Sequence, residues 1–276
     1  METLTDRFIK TIAENDSAST AVGEIVRLVF EKPDTPEKFG LRAYLFHEGI
    51  GVPADMEMCV RLAEKAAFEY GDPLGYFLLG YMADGTDDRR ALEFYEKCAG
   101  TKSRWGEQAR LWLGRYFADI HRGNDIALGL EYFRSIAEDN SEAAGWLSDY
   151  YWSLVVPDYL NEDDWKSELF RWTSSAARLD PAEYSWRLGL LYADGIGCEK
   201  DTDKAVDYLE EACDYDDWRA ARSLADMLSD VLKNNPDMSP EEKAECESAI
   251  REWNAWADEQ REAEIKSEHD RSVEED

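Results

Sequence analysis

Two distant stretches of this chain are copies of one pattern, and that repetition constrains the fold more than any single motif does. Phe46-His-Glu-Gly49-Ile-Gly51-Val52 matches Tyr192-Ala-Asp-Gly195-Ile-Gly197-Cys198. Each is followed by an Asp (Asp55, Asp201) and then by an amphipathic stretch, Cys59 to Ala67 and Ala205 to Cys213. The interval from Gly49 to Cys59 equals that from Gly195 to Ala205, so both the residues and their spacing recur. A unit of this kind cannot bury its apolar face alone and must stack on its neighbours.

Looser copies lie between these two. Leu78-Leu-Gly80-Tyr-Met-Ala-Asp-Gly85 leads into Ala91 to Ala99, Ala109 to Phe117 into Gly129 to Ala137, and Ala143 to Tyr151 into Leu169 to Ala177. A weaker last copy begins at Arg219 and ends around Trp253 to Trp256. The equivalent positions Cys59, Ala91, Gly129, Leu169 and Ala205 advance by 32, 38, 40 and 36 residues, close to the period of helix–turn–helix repeats.

Small residues at matched positions let paired helices approach closely: Gly114, Ser148 and Gly189 in the first helix, Ala66, Ala99, Ala137 and Ala177 in the second. Gly49 and Gly195 stand where a left-handed residue ends a helix at low cost. Apolar residues recur with the helical period and no β-type alternation is sustained. The expected fold is all-α, a right-handed α-solenoid of about five to six stacked antiparallel helix pairs.

The pattern small-x-x-x-Leu-Gly-x-x-Tyr-x-x-Gly-x-Gly-Val, then Asp, then Ala-x-x-aromatic-x-x-x-Ala-Ala resembles the Sel1-like repeat, a relative of the tetratricopeptide repeat. The resemblance covers roughly residues 38 to 257. It is strong at Phe46 to Ala67 and Leu188 to Cys213, and loose where Gly123 and Pro157 interrupt longer connections. It implies a superhelical adaptor that binds other proteins without catalysis of its own. The disulfide that staples each repeat in some exported relatives has no matching cysteine spacing here.

The ends depart from the repeat. In residues 1–37, Leu4, Phe8, Ile9 and Ile12 recur at helical spacing, as do Val22, Ile25, Val26 and Val29, the second helix closing before Pro33 and Pro36. This segment reads as N-terminal capping helices over the exposed end of the array, with a separate targeting or docking element as the other reading. Residues 258–276 form an acidic C-terminal segment, expected as a fraying helix end and solvated tail.

Counted from the small residue of each first helix, the preceding Leu and the aromatic three later should be core: Leu113 and Phe117, Leu147 and Tyr151, Leu188 and Tyr192. An adjoining stripe, on the concave face, carries Phe77 and Tyr81, Trp112 and Tyr116, Trp146 and Tyr150, and Arg187 and Leu191. Arg115 and Arg187 could add charged contacts. Two readings of the stripe stand side by side: an aromatic groove for a peptide, or side chains packed between neighbouring repeats.

Lys and Arg number 31 against 61 Asp and Glu, a net charge of −30. Such a field disfavours a nucleic-acid backbone or an anionic membrane and favours a neutral or basic protein or peptide partner. No apolar run approaches a transmembrane span, and Met1 to Asn15 does not read as a secretory signal. Cys59, Cys98, Cys198, Cys213 and Cys246 are scattered, and His47, His121 and His269 stand alone, so no metal or other cofactor is expected. The expected compartment is a reducing, bacterial-type cytoplasm. No nucleophile elbow, phosphate loop or zinc helix appears. The expectation is a non-catalytic interaction scaffold. Two alternatives remain: a hydrolase-like or sugar-processing enzyme with an unrecognised site on this scaffold, and an acidic decoy for a basic nucleic-acid-binding protein.

Overall fold

The computed structural model describes residues 4–14, 19–154 and 164–274. Pro157 and residues 161–163 lie outside the described residues, as do the side chain of His269 and the start of the chain before Leu4. The described residues form fourteen helices and no strand, so the fold is all-α. They divide into two compact units, Met1–Tyr132 and Phe133–Asp276.

In the first unit, α1 (Leu4–Glu14) and α2 (Thr20–Phe30) precede the helix pairs α3 (Pro36–Glu48) with α4 (Met56–Tyr70) and α5 (Pro73–Ala83) with α6 (Asp88–Ala99). α7 (Arg104–Ala118) follows, and α8 (Ile126–Arg134) begins at the unit's end. First helices α3, α5 and α7 lie side by side, and each second helix packs against the first helix of the next pair. Local chemistry sets the boundaries. Proline opens α3 and α5. Asp55, Asp87 and Ser103 accept the N–H groups of Met58, Arg90 and Gly106 at 2.9, 3.1 and 3.0 Å, capping α4, α6 and α7. Much of the acidic sequence is therefore spent at helix starts.

The repeated loop is the same object twice. Gly49 and Gly195 end their helices at φ 69° and 70°, in the left-handed region. Ile50 N–H donates to the Leu45 carbonyl at 3.1 Å and Asp55 N–H to that of Phe46 at 3.0 Å. In the second unit Ile196 donates to Leu191 and Asp201 to Tyr192, both at 3.0 Å.

The second unit stacks α9 (Ser141–Ser153) with α10 (Asp164–Leu179), α11 (Pro181–Asp194) with α12 (Thr202–Cys213), and α13 (Trp218–Asn234) with α14 (Pro240–Glu274). Leu147, Trp172, Leu188 and Leu209 are buried between the layers. Ser148 and Thr173, also buried, satisfy one another at 2.9 Å.

Two of the six expected core positions differ. Leu113, Leu147, Leu188 and Tyr151 are buried, but Phe117 and Tyr192 are half-buried. Each lies nearly parallel to a Tyr of its partner helix: Phe117 to Tyr132 at 5.9 Å and 6°, Tyr192 to Tyr208 at 5.7 Å and 3°. The ring pair sits at the edge of the helix interface, where one face is covered and the rim stays wet.

At the C-terminus the acidic residues from Asp258 continue α14 rather than following its end. Arg222 pairs with Asp258 at 2.6 Å and the Trp218 indole donates to Glu264 at 2.6 Å, which ties this stretch to α13. Residues 261–267 are otherwise exposed.

Candidate protein-binding faces

In the first unit the sequence-predicted residues lie on α5 and α7. Trp112 is stacked between Tyr95 of α6 (4.2 Å, 27°) and Tyr116 one turn along α7 (5.1 Å, 20°). Its indole N–H donates to Asp84 at 2.8 Å. Arg122, from the loop after α7, lies over both rings, 5.2 Å from Trp112 and 4.8 Å from Tyr116. Asp84 and Asp88 hold that guanidinium at 2.5 and 3.0 Å. Burial raises the Asp84 carboxyl, but the hydrogen bonds from Arg122 and Trp112 outweigh it and hold the group below the ordinary carboxylate range. Trp112 and Tyr116 thus join neighbouring helix pairs, which is the packing reading of the stripe.

Phe77 is half-buried between Tyr95 (5.6 Å) and Trp105 (5.2 Å). Tyr81 is 55% exposed and meets only the edge of its neighbour His47, at 5.3 Å, among the ring contacts described. The two differ from Trp112 and Tyr116 because their register differs. Gly80 is the small residue that faces Tyr95. Counted from it, Phe77 lies three before and Tyr81 one after, instead of two and two. Arg115 is exposed on α7.

In the second unit Trp146 is 38% exposed and lies flat on Phe133 at 5.1 Å and 17°. Tyr150 is half-buried, edge-on to Tyr151 at 5.2 Å. Arg187 is enclosed: it is paired with Asp149 and surrounded by Tyr184, Trp152 and Trp186 at 5.3, 5.5 and 5.7 Å. Arg219 covers Trp186 at 4.7 Å and is gripped by both oxygens of Asp217, at 2.9 and 3.1 Å. Asp217 is itself the buried N-cap of α13.

The stripe therefore divides. Tyr81, Arg115 and Trp146 are exposed, whereas Phe77, Trp112, Tyr116, Tyr150 and Arg187 are drawn into packing to differing degrees and Leu191 is fully buried. Sequence reasoning missed Tyr95, Arg122 and Asp84 in the first unit and Trp152, Trp186 and Arg219 in the second. Trp186 was legible, since it is the counterpart of Phe77 three residues before Gly189. Arg122 was not, because it comes from a connecting loop with no repeat pattern.

Among the described residues no group of three His, Cys, Asp or Glu side chains is placed to hold a metal ion. All five cysteines are free thiols, and burial pushes Cys59 up to about 11 and Cys98 to about 12. No described helix is long and apolar enough to cross a membrane.

Helix pairs that repeat their loops, small residues and stacked rings define an α-helical repeat protein, an α-solenoid. The Sel1-repeat family model matches residues 40–67, 73–99 and 182–216, and these segments are Sel1 repeats. The fold is similar to that of a Sel1 repeat protein from Oxalobacter formigenes, with a TM-score of 0.54 and 21% identity over 84% of this chain and 94% of that one. It is also similar to a protective antigen of uropathogenic Escherichia coli strains that displays an SLR fold. There the TM-score is 0.53 and the identity 16%, over 96% of this chain and 64% of that one. At these identities the likeness is one of fold. This scaffold is typical of protein–protein interaction and is generally non-catalytic.

Proposed function

We propose that the protein is a non-catalytic adaptor that holds a protein or peptide partner on the faces of its first helices. The observation that carries this reading is the exposure of large aromatic side chains on rigid supports. Tyr81 is 55% and Trp146 38% exposed on first helices, Trp146 lying flat on the buried ring of Phe133. Exposed Trp and Tyr held in one conformation lose little entropy on binding and so act as anchors. Arg115 beside the first face and Tyr150 beside the second add polar contacts.

The net charge of −30 favours a basic partner, with attraction falling off over about 10 Å at 0.1 M salt. It counts against direct contact with nucleic acid or an anionic membrane. The five free thiols fit a reducing bacterial cytoplasm. Residues 1–37 close the N-terminal end of a repeat array spanning 38–257. α2 is the capping element: Val22, Ile25 and Val29 are buried, and the Val29 carbonyl accepts from Arg42 Nε at 3.0 Å. Residues 258–276 keep the far end soluble.

The test is partner capture by the full chain carrying Tyr81→Ala and Trp146→Ala, with helicity followed by circular dichroism. Capture should fall at least tenfold while the dichroism is unchanged. Undiminished capture by the folded double variant would overturn the aromatic-anchor reading.

A further inference from the structure

The helix α1 packs its apolar side against α3 and the start of α7 in the first unit. Phe8 is 1% exposed and meets the ring of Tyr44 on α3 edge-on at 5.7 Å. Tyr44 in turn lies 6.3 Å from Trp105 of α7. Leu4, Ile9 and Ile12 are partly buried in the same cluster. With Phe8 they occupy positions i, i+4, i+5 and i+8, one stripe of an amphipathic helix. α1 therefore sets its apolar stripe against α3 and the start of α7, as a ligand helix sets its stripe in a groove.

Its hold is light compared with that of α2. α2 has four buried aliphatic residues, whereas α1 has Phe8 alone. Thr5 of α1 donates a long hydrogen bond to Glu37 of α3 at 3.4 Å. Two half-open clefts flank Ile9 where α1 meets the repeats. One, of about 160 Å³, is bounded by Phe8, Ile12, Tyr44 and Trp105; the other, of about 370 Å³, by Thr5, Glu37, Asp72 and Lys102.

We propose that the α3–α5–α7 face of the first unit is a helix-binding groove, occupied at rest by α1. The partner it accepts is an amphipathic helix with a large aromatic anchor in place of Phe8 and aliphatic residues one position after it and four positions before and after it. Binding displaces α1 while α2 stays in place, so α1 sets a threshold that a partner helix must exceed. This deepens the adaptor reading by naming the partner's chemistry, and it rests on that reading for its biological use.

The experiment needs no natural partner. A fluorescent peptide of residues 1–14 is titrated against the full-length wild-type chain and against full-length Phe8→Glu. The peptide should bind Phe8→Glu at least tenfold more tightly than wild type, and the peptide carrying Phe8→Glu should bind neither. Absence of binding to a Phe8→Glu chain that retains its helical dichroism and melting cooperativity would overturn the proposal. In case that variant does not fold, hydrogen exchange on the wild type decides. The α1 amides should exchange at least tenfold faster than those of α3 to α6, and equal protection would overturn the proposal. A negative peptide result with intact capture at Tyr81 and Trp146 would leave the adaptor reading standing.

Discussion

The indole N–H of Trp112 donates to the carboxylate of Asp84 at 2.8 Å, tying α7 to the residue that ends α5. This contact crosses from one repeat to the next and turns an apparent groove residue into a joint. Trp112→Phe keeps an aromatic ring against Tyr95 but removes the donor, and should cost about 1–2 kcal/mol. Trp112→Ala removes the ring as well and should cost about 3 kcal/mol or more. Urea unfolding followed by circular dichroism measures both. Equal losses for the two variants would show that the hydrogen bond, not the stacking, dominates.

Asp72 gives the first unit a pH dependence. It caps α5 by accepting Leu74 N–H at 3.2 Å, while its other oxygen is buried without a partner. Burial raises its carboxyl to about 6, with the charge of Glu37 adding to the rise and the Leu74 hydrogen bond opposing it. The folded state therefore holds a proton that the unfolded state, titrating near 3.8, has lost. Stability should rise as pH falls from about 7 to 5, by on the order of 1 kcal/mol from this residue. Asp72→Ser keeps a capping oxygen and should abolish that increment. An unchanged difference between the pH 7 and pH 5 melts in the variant would assign the dependence to other carboxylates.

Two glycines should respond oppositely to the same substitution. A Cβ on Gly75 would lie 2.7 Å from the Ala67 nitrogen and 2.8 Å from the Ala63 carbonyl, both backbone atoms of α4. Gly75→Ala must push α4 and α5 apart and should lose about 1–3 kcal/mol despite better helix propensity. Gly23, exposed within α2, has nothing within 4 Å of its would-be Cβ. Gly23→Ala should gain about 0.5–1 kcal/mol. Thermal melts of the two variants give the signs directly.

Tyr81→Ala and Trp146→Ala should be the mildest aromatic losses in the stripe. Tyr81 touches the edge of His47, and Trp146 keeps over a third of its surface in water. Each variant should lose no more than about 1 kcal/mol of stability. A loss comparable to that of Trp112→Ala, seen in the same denaturant series, would place these rings in the core network after all.

The repeat was legible at Gly49 and Gly195 because backbone chemistry there is local. A left-handed glycine, an Asp cap and a fixed interval specify a helix–loop–helix without reference to anything distant. The buried Leu113, Leu147 and Leu188 followed from the same period. Phe117 and Tyr192 were read as core and are half-covered, because burial at the rim depends on which ring the partner helix presents.

The sequence by itself determined the helices, their pairing and their stacking partners, since those rest on caps, glycines and an apolar period that each act within a few residues. Only the tertiary structure decided which aromatic rings are joints and which are free. That outcome depends on Arg122, Asp84 and Tyr95 meeting Trp112 from three other places in the chain. It also decided where α1 lies, because an amphipathic stripe states that a helix needs an apolar surface without stating which one.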